Sequence, residues 1–426
     1  MEIIEENNKD INSNDNKENF TVSPEMEMKE VSSEKPAKGF KKILLTIFAV
    51  FFTLAILSAG GFFIYQKIQS NKDITLENPM GEAPVGKSRN SNASSEFASP
   101  INGVYHTKEE YENYKDRRPL AVMINNHIDA RPQFGLTFAE IVYEIVAEGG
   151  ITRLMPVFYT QDASKVGPVR SARVHFIDIA AEFYSWYAHW GGAYAPLLSD
   201  GSKDYSETNP KADSYQHIND VGLASLDQAW LGETAYYRDT SRDVALEHTG
   251  YSSTPALWKE APNRYPEEGW TKFIKFDVWK FKEDAVPSDR GFVTDIKFNF
   301  WDVPDFEVIW KYDKGTNEYT RYQGGVKMTD ALVNKDIVAK DVIVQFAVET
   351  SAEDKKNHLL YDIVGSGDAK IFMDGKVINA KWSKASIRER TMYYNENGDE
   401  IEFNRGIIWV EIVPSRSAES LSFVAQ

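Results

Sequence analysis

The sequence predicts one N-terminal transmembrane helix, an α/β domain beyond it, and a mostly antiparallel β domain at the C-terminal end. Three observations carry this prediction. Residues 43–65 form 23 consecutive positions without a charge, enough at about 1.5 Å per residue to cross a hydrocarbon layer of roughly 30 Å. From Leu120 onward, apolar runs of strand length lead into a run with helical period. Beyond Asp289 the apolar period becomes two, punctuated by Asp-Gly and Asn-Gly turns.

Residues 1–42 hold ten Asp/Glu and seven Lys with no sustained apolar period and read as a disordered cytoplasmic tail. The apolar run 43–65 is long for a signal peptide and lies far from the N-terminus, so it reads as a membrane span. Lys35, Lys38, Lys41 and Lys42 precede it and only Lys67 and Lys72 closely follow. The positive-inside rule then leaves the N-terminus in the cytoplasm and the bulk of the chain outside. Residues 66–101, polar and broken by Asn-Pro and Ala-Pro, read as a flexible linker. A chain of 426 residues, 42% hydrophobic, leaves room for two folded domains after that linker. They are placed at 102–260 and 293–426, with a proline-bearing junction at 261–292 anchored by aromatic residues such as Trp270, Trp279 and Phe281.

Charge and cysteine content remove several function classes. Of the net −16, residues 1–42 carry −3, so the remainder carries −13. Such a surface repels nucleic acid and anionic lipid, and the chain has no basic stripe to offset it. The absence of cysteine excludes a disulfide framework, a thiol nucleophile and an acylated cysteine, which leaves attachment to the helix at 43–65.

In the first domain, Leu120-Ala121-Val122-Met123-Ile124 is a continuous apolar run, expected for a strand covered on both faces. Ile141–Ile145 and Ile151–Tyr159 make two further strands. A helix is expected from about Ser171 towards His189, with Phe176, Ile177, Ala180, Ala181 and Tyr184 on its core face. If Ser171 caps it, the free N–H groups of the first turn and the positive end of the dipole attract anions, beside Arg170 and Arg173. Shorter helical patterns lie near Ala224–Leu231 and Thr234–Arg242. The second domain reads as a series of strands from Thr294 to Val413, with hairpin turns at Asp374-Gly375 and Asn397-Gly398.

No Walker loop, Gly-x-Ser-x-Gly elbow or His-Glu-x-x-His is present. His175 and His189 are fourteen apart at opposite ends of one predicted helix, so no shared metal is expected, and no cofactor is identified. Asp178 and Glu182 sit at i, i+4 but read first as a solvated helix face. The better constellation gathers at strand ends: Asn125, Asn126, Arg131, Glu144 and Arg153, together with Arg170, Ser171, Arg173 and His189. These residues are placed along one crevice at the sheet edge, where open α/β folds bind ligands. Two readings of the arginines stand: structural ion pairs with Glu140, Glu144 and Glu148, or an anion site.

The segments Arg118–Asn126, Ala130–Leu136, Ala139–Glu144, Glu148–Met155 and Gly167–Arg173 resemble the YerB-like lipoprotein family, a bacterial envelope family whose pair of domains has no established activity. The resemblance runs from about Arg117 to Pro414. It extends through Arg238-Asp239, through Glu247-His248-Thr249, and through the closing Trp-Val-Glu-Ile-Val-Pro, and it adds His248 to the candidate ligand-binding residues. It implies an envelope location, although this chain has no cysteine to acylate. A weaker analogy is to the LytR-CpsA-Psr phosphotransferases, in which Arg153, Arg170 and Arg173 would hold a pyrophosphate. Asn125 stands where that reading calls for an aspartate.

The sequence thus reads as a membrane-anchored extracytoplasmic envelope protein that binds an anionic or glycan-bearing ligand or a cell-wall partner protein. The alternative is an enzyme acting on a phosphate-linked glycan. For the topology, protease added to intact protoplasts should degrade residues 66–426 and spare the tail; protection of the C-terminal part would reverse the orientation.

Overall fold

A computed structural model describes residues 94–266 and 277–425. The apolar runs of the first half become strands β1 (Leu120–Val122), β2 (Ile124–Asn125), β3 (Ile141–Glu148) and β4 (Ile151–Phe158). Helix α1 (Val174–Glu182) follows, then β5 (Trp186–His189), α2 (Ser214–Val221), β6 (Ala224–Asp227) and α3 (Thr254–Arg264). The second half supplies β7 (Thr294–Phe298), β8 (Val308–Asp313), β9 (Glu318–Gln323), β10 (Asp341–Ser351) and β11 (Leu359–Asp362). It continues with β12 (Gly365–Met373), β13 (Lys376–Lys384), β14 (Met392–Asn395), β15 (Ile408–Pro414) and β16 (Ser422–Val424).

The fold is therefore β-rich with a few helices, and the line expected between an α/β half and an antiparallel half does not divide its main sheet. Twelve strands run β14-β13-β12-β10-β15-β3-β4-β1-β5-β6, with β11 beside β10 and β2 beside β4. The seam is β15, which is parallel to β10 on one side and to β3 on the other, so that Val410 lies opposite both Ile343 and Tyr143. Its sequence, Ile-Trp-Val-Glu-Ile-Val-Pro, is buried at every position, as a central strand covered on both faces requires. A second sheet of six strands stacks β9, β8, β7 and β16 antiparallel, with Val326–Lys327 and Val338–Ala339 on β9.

Several elements differ from the sequence reading. Helix α1 stops at Glu182 because Tyr184 takes φ 50°, and Trp186–His189 pairs parallel with both β1 and β6 instead of extending the helix. Residues 224–227, read as helical, form β6 because all four are buried against β5; the helical turn is confined to Gln228–Leu231. Tyr237–Arg238 is a short strand on Gly250–Tyr251, not a helix. Ser94–Ala98, inside the expected linker 66–101, pairs with Tyr105–His106, and Tyr114 Oη donates to Phe97 O at 3.0 Å. The expected tail 1–42 and span 43–65 lie outside the described residues. Among the described residues no helix is long and apolar enough to cross a membrane.

One buried ion cluster joins the two sheets. Arg321 on β9 donates to Glu144 on β3 and to Glu411 on β15, and all three side chains are fully buried. Its guanidinium lies 5.2 Å from the ring of Trp310 and 4.7 Å from that of Trp409, and Trp310 Nε1 donates to Glu411 at 2.9 Å. Burial and the Glu144 carboxylate push the Glu411 carboxyl up against the pull of Arg321. One guanidinium then faces a pair of carboxyls that keeps a proton, which limits the net charge taken out of water.

Two predictions follow from this architecture. In the β12–β13 turn both Asp374 (φ 53°) and Gly375 (φ 66°) are left-handed, as a type I′ hairpin demands. A Cβ at Gly375 would lie 2.3 Å from Tyr312 Cε1, whereas at Gly398 (φ 86°) nothing lies within 4 Å. Gly398→Val should cost about 1 kcal/mol in urea denaturation from backbone strain alone, and Gly375→Val roughly 1–3 kcal/mol more through overpacking. The ion cluster predicts a pH signature. Because the Glu411 pKa is raised in the fold, its contribution is full below the ordinary value of 4.5 and is lost as pH rises through the raised one. Glu411→Gln should flatten the decline of the denaturation midpoint on the alkaline side, while Arg321→Ala, which strands two buried carboxyls, should cost about 3–5 kcal/mol.

Candidate anion-binding site

The segment Gly167–Arg173 has no long strand or helix of its own and is held by neighbours along its length. Phe134 N donates to Gly167 O, Asn125 N to Pro168 O, and Val169 N to Gly250 O. Arg170 N donates to Met123 O, Trp190 N to Arg170 O, and Ala172 N to Gly191 O. This threading sends the side chains of Arg170 and Arg173 to different environments. Helix α1 begins one residue after Arg173, which serves as N-cap without a side-chain hydrogen bond. Ser171 does not cap it: its Oγ donates to Trp190 O at 3.1 Å.

Arg153 and Arg173 converge on Glu148. Arg173 donates through Nε to Oε2 at 2.8 Å and through Nη2 to Oε1 at 2.7 Å, and Arg153 Nη2 reaches Oε1 at 2.6 Å. Arg153 also donates to Ser171 O, and Arg173 to Ala172 O. Burial raises the Glu148 carboxyl, but the two arginines outweigh it and bring it down to about 2; burial and the adjacent Arg173 bring Arg153 down to about 9. The side chains of Arg153 and Arg173 are only 4% and 10% exposed, so both forks are already met inside the protein.

Asn126 and Glu144 belong to the buried seam, and Arg131 lies half-buried beside Asn126. The Asn126 amide nitrogen faces Glu144 Oε1 (3.0 Å), Thr152 Oγ1 (2.7 Å) and Gln323 Oε1 (3.0 Å), and its Oδ1 accepts from Gln133 at 2.7 Å. Arg131 donates to the carbonyls of Asn126 and Asp305 and covers Phe306, and burial lowers it to about 10. His189 is fully buried, with Nδ1 donating to Gly191 O at 2.8 Å and Nε2 accepting from Ser225 at 2.7 Å. Asp178 and Glu182 are committed separately, to His217 and to Lys384 with Thr391.

Arg170 is different. It lines a cavity of about 280 Å³ with Val169, Trp190, Arg238, Leu246 and Glu247. Its side chain is 27% exposed, and its ion pair, to a Glu247 that is 52% exposed, is 3.3 Å long. Arg238 lies 4.3 Å over the Trp190 ring and donates through Nη1 to Leu246 O and Thr249 Oγ1. Gly250 also packs on that indole, since a Cβ there would fall 2.6 Å from Trp190 Cε3. The indole is a support for a cationic floor, not an open stacking face.

His248 borders the same place and its tautomer is determined. His127 N–H donates to Asn125 Oδ1 at 2.9 Å, so the Asn125 amide nitrogen must be what faces His248 Nδ1 at 2.8 Å. Nδ1 accepts, and the proton sits on Nε2, 3.7 Å from Glu247 Oε1. Burial and the neighbouring His127 hold the His248 pKa down, which preserves the neutral ring. Among the described residues His127, Asp129 and His248 offer metal-ligating atoms within 4.8 Å of one another. The two rings are stacked at 4.7 Å and 9°, and His127 Nδ1 already accepts from Asp129 N at 3.2 Å. In-plane lone pairs of parallel stacked rings do not meet at one ion, so the arrangement supplies N–H donors better than metal ligands.

Of the candidate residues, the structure places Arg170 in the cavity lining, sets the buried His248 behind Glu247 with Asn125 against it, and disperses the rest. Trp190, next to His189 in the expected crevice, lines the cavity as well, whereas Arg238 and Glu247 were not among the candidates; the Arg-Asp and Glu-His-Thr motifs contained them, without a signal that they face Arg170.

The chain matches the N-terminal domain of a family described as protein of unknown function, DUF3048, over residues 106–267, and its C-terminal domain over 296–410. It is 30% identical over 329 residues to "Putative lipoprotein YerB" of Bacillus subtilis (strain 168), covering 76% of this chain and 88% of that protein. The crystal structure of YerB from Bacillus subtilis aligns with a TM-score of 0.61 at 23% identity, over 77% of this chain and 99% of that one, a likeness of fold. The protein thus belongs to the DUF3048 family, to which its motifs in Arg118–Arg173 pointed, and is a relative of YerB.

Proposed function

We propose that this protein is a membrane-anchored, extracytoplasmic envelope protein that binds the anionic group of an envelope ligand in the cavity of Arg170 and Arg238. The name of its YerB relative supports the envelope location, and the apolar run 43–65 supports attachment by a helix. The observation that carries the binding reading is the contrast among three nearby arginines. Arg153 and Arg173, themselves buried, are tied by short bonds to the Glu148 carboxylate, whereas Arg170 faces a cavity with one long, half-solvated ion pair. A guanidinium fork in that state retains donors for phosphate or carboxylate oxygens. The transferase alternative calls for an acidic, metal-holding residue at the end of β2, and the Asn125 found there has its amide engaged by His127 and His248.

The test compares Arg170→Ala with Arg173→Ala. Loss of a charge-assisted bond at a partly desolvated site costs about 1.5–3 kcal/mol. Arg170→Ala should therefore weaken binding of inorganic phosphate or a lipid-linked wall precursor by roughly tenfold or more, with little change in melting temperature. Arg173→Ala should lower the melting temperature markedly, because Glu148 loses its bidentate partner. Unchanged ligand response in Arg170→Ala would overturn the proposal.

A further inference from the structure

We propose that Glu247 is the protein's own stand-in for the ligand's anionic group, and that the ligand carries a phosphate monoester whose oxygens replace the Glu247 carboxylate between Arg170 and His248. This inference rests on the reading of Arg170 as a ligand-binding residue.

Glu247 places one oxygen 3.3 Å from Arg170 Nη2 and the other 3.7 Å from His248 Nε2. The carboxylate therefore lies between the two groups without a short bond to either, unlike the 2.6–2.8 Å bonds that hold Glu148. The His248 tautomer fixed by Asn125 makes the Nε2 atom a donor, so the group it faces must accept. Glu247 sits in a single 3-10 turn, Leu246–His248, whose Leu246 is 64% exposed and which has no buried residue except His248. Its side chain, 52% exposed, can leave for water without uncovering a core.

The chemistry of the cavity selects phosphate. A carboxylate has two oxygens and here spans only Arg170 and His248. Arg238 lines the same cavity, and its Nη1 holds its carbonyl and hydroxyl contacts. A tetrahedral phosphoryl group presents a third oxygen for that remaining guanidinium edge. The cavity, about 280 Å³, holds such a group together with part of its ester substituent.

The experiment is calorimetric titration of the full chain, at fixed ionic strength, with inorganic phosphate, with glycerol 3-phosphate and with vesicles containing phosphatidic acid, in wild type, Glu247→Gln and Arg170→Ala. Melting temperatures check that each variant folds. Removing the competing charge should tighten phosphate and glycerol 3-phosphate in Glu247→Gln by roughly tenfold, whereas Arg170→Ala weakens both. Tightening for the vesicles as well would assign the monoester to a lipid headgroup, and tightening for the soluble probes alone to a free ester. If Arg170→Ala weakens binding but Glu247→Gln does not tighten it, Glu247 is no stand-in and the inference fails while the anion reading stands. If Arg170→Ala and wild type respond alike, or none of the three proteins binds phosphate, both fail.

Discussion

The interaction on which the rest of the structure depends is the shared guanidinium of Arg321. Placing an arginine and two glutamates out of water is unfavourable unless each charge meets a partner at close range, and a broken buried pair is costlier than a missing one. Arg321 reaches Glu144 on β3 and Glu411 on β15, two strands that lie side by side in the main sheet, from β9 in the other sheet. A shift of β15 by one residue would turn Glu411 to the opposite face and leave one buried edge of the Arg321 guanidinium without its acceptor. The cluster therefore fixes both the register of the seam and the distance between the sheets, and the indoles of Trp310 and Trp409 exclude water from it.

That seam also orients the loops that build the cavity. Asn126 is held by Glu144, Thr152 and Gln323, which pins the end of β2 next to the buried cluster. One residue earlier, Asn125 takes its own orientation from the His127 amide and sets the tautomer of His248. Asp330, from the second half, accepts from Gly135 N and Thr137 N at 2.9 Å and so closes the loop that contains Arg131. Geometry is passed along the chain from a buried charge to the buried His248 ring behind Glu247 through hydrogen bonds.

What was legible in the sequence follows from which interactions are local. Strands with period-two alternation and the turn at Asp374-Gly375 depend on neighbours within a hairpin, and they are found where the pattern placed them. The fusion of the two halves was not legible, because β15 chooses its parallel partners by burial across long separations. A signal was present in retrospect: Arg321 occupies the buried phase of β9, whose exposures alternate, and Glu411 interrupts an otherwise apolar run. A charge on the apolar phase of a strand announces a partner but does not say which one. The helix expected through to His189 failed for a similar reason, since the parallel neighbours of β5 override the helical period of Trp186–His189. In the same way the arginines of the Gly167–Arg173 motif were visible, but only the threading of that segment assigns Arg173 to Glu148 and Arg170 to the cavity.

The division of labour between those arginines comes down to what happens to the carboxylate that a ligand would displace. An anion competing for Arg173 must detach Glu148, whose pKa is held at about 2 by two guanidinium groups and whose arginine partners are almost wholly buried. The released carboxylate would lose both of its partners, so a ligand must first offset the loss of three short charge-assisted bonds. An anion competing for Arg170 displaces Glu247, half of which already faces water and which regains full hydration when it swings away. A surface ion pair of that kind is worth about 0–1 kcal/mol, less than a charge-assisted bond to a well-placed phosphate. In an acidic chain with many internal carboxylates, an anion would reach most readily the arginine whose internal partner can return to solvent, which is the basis of the proposed site.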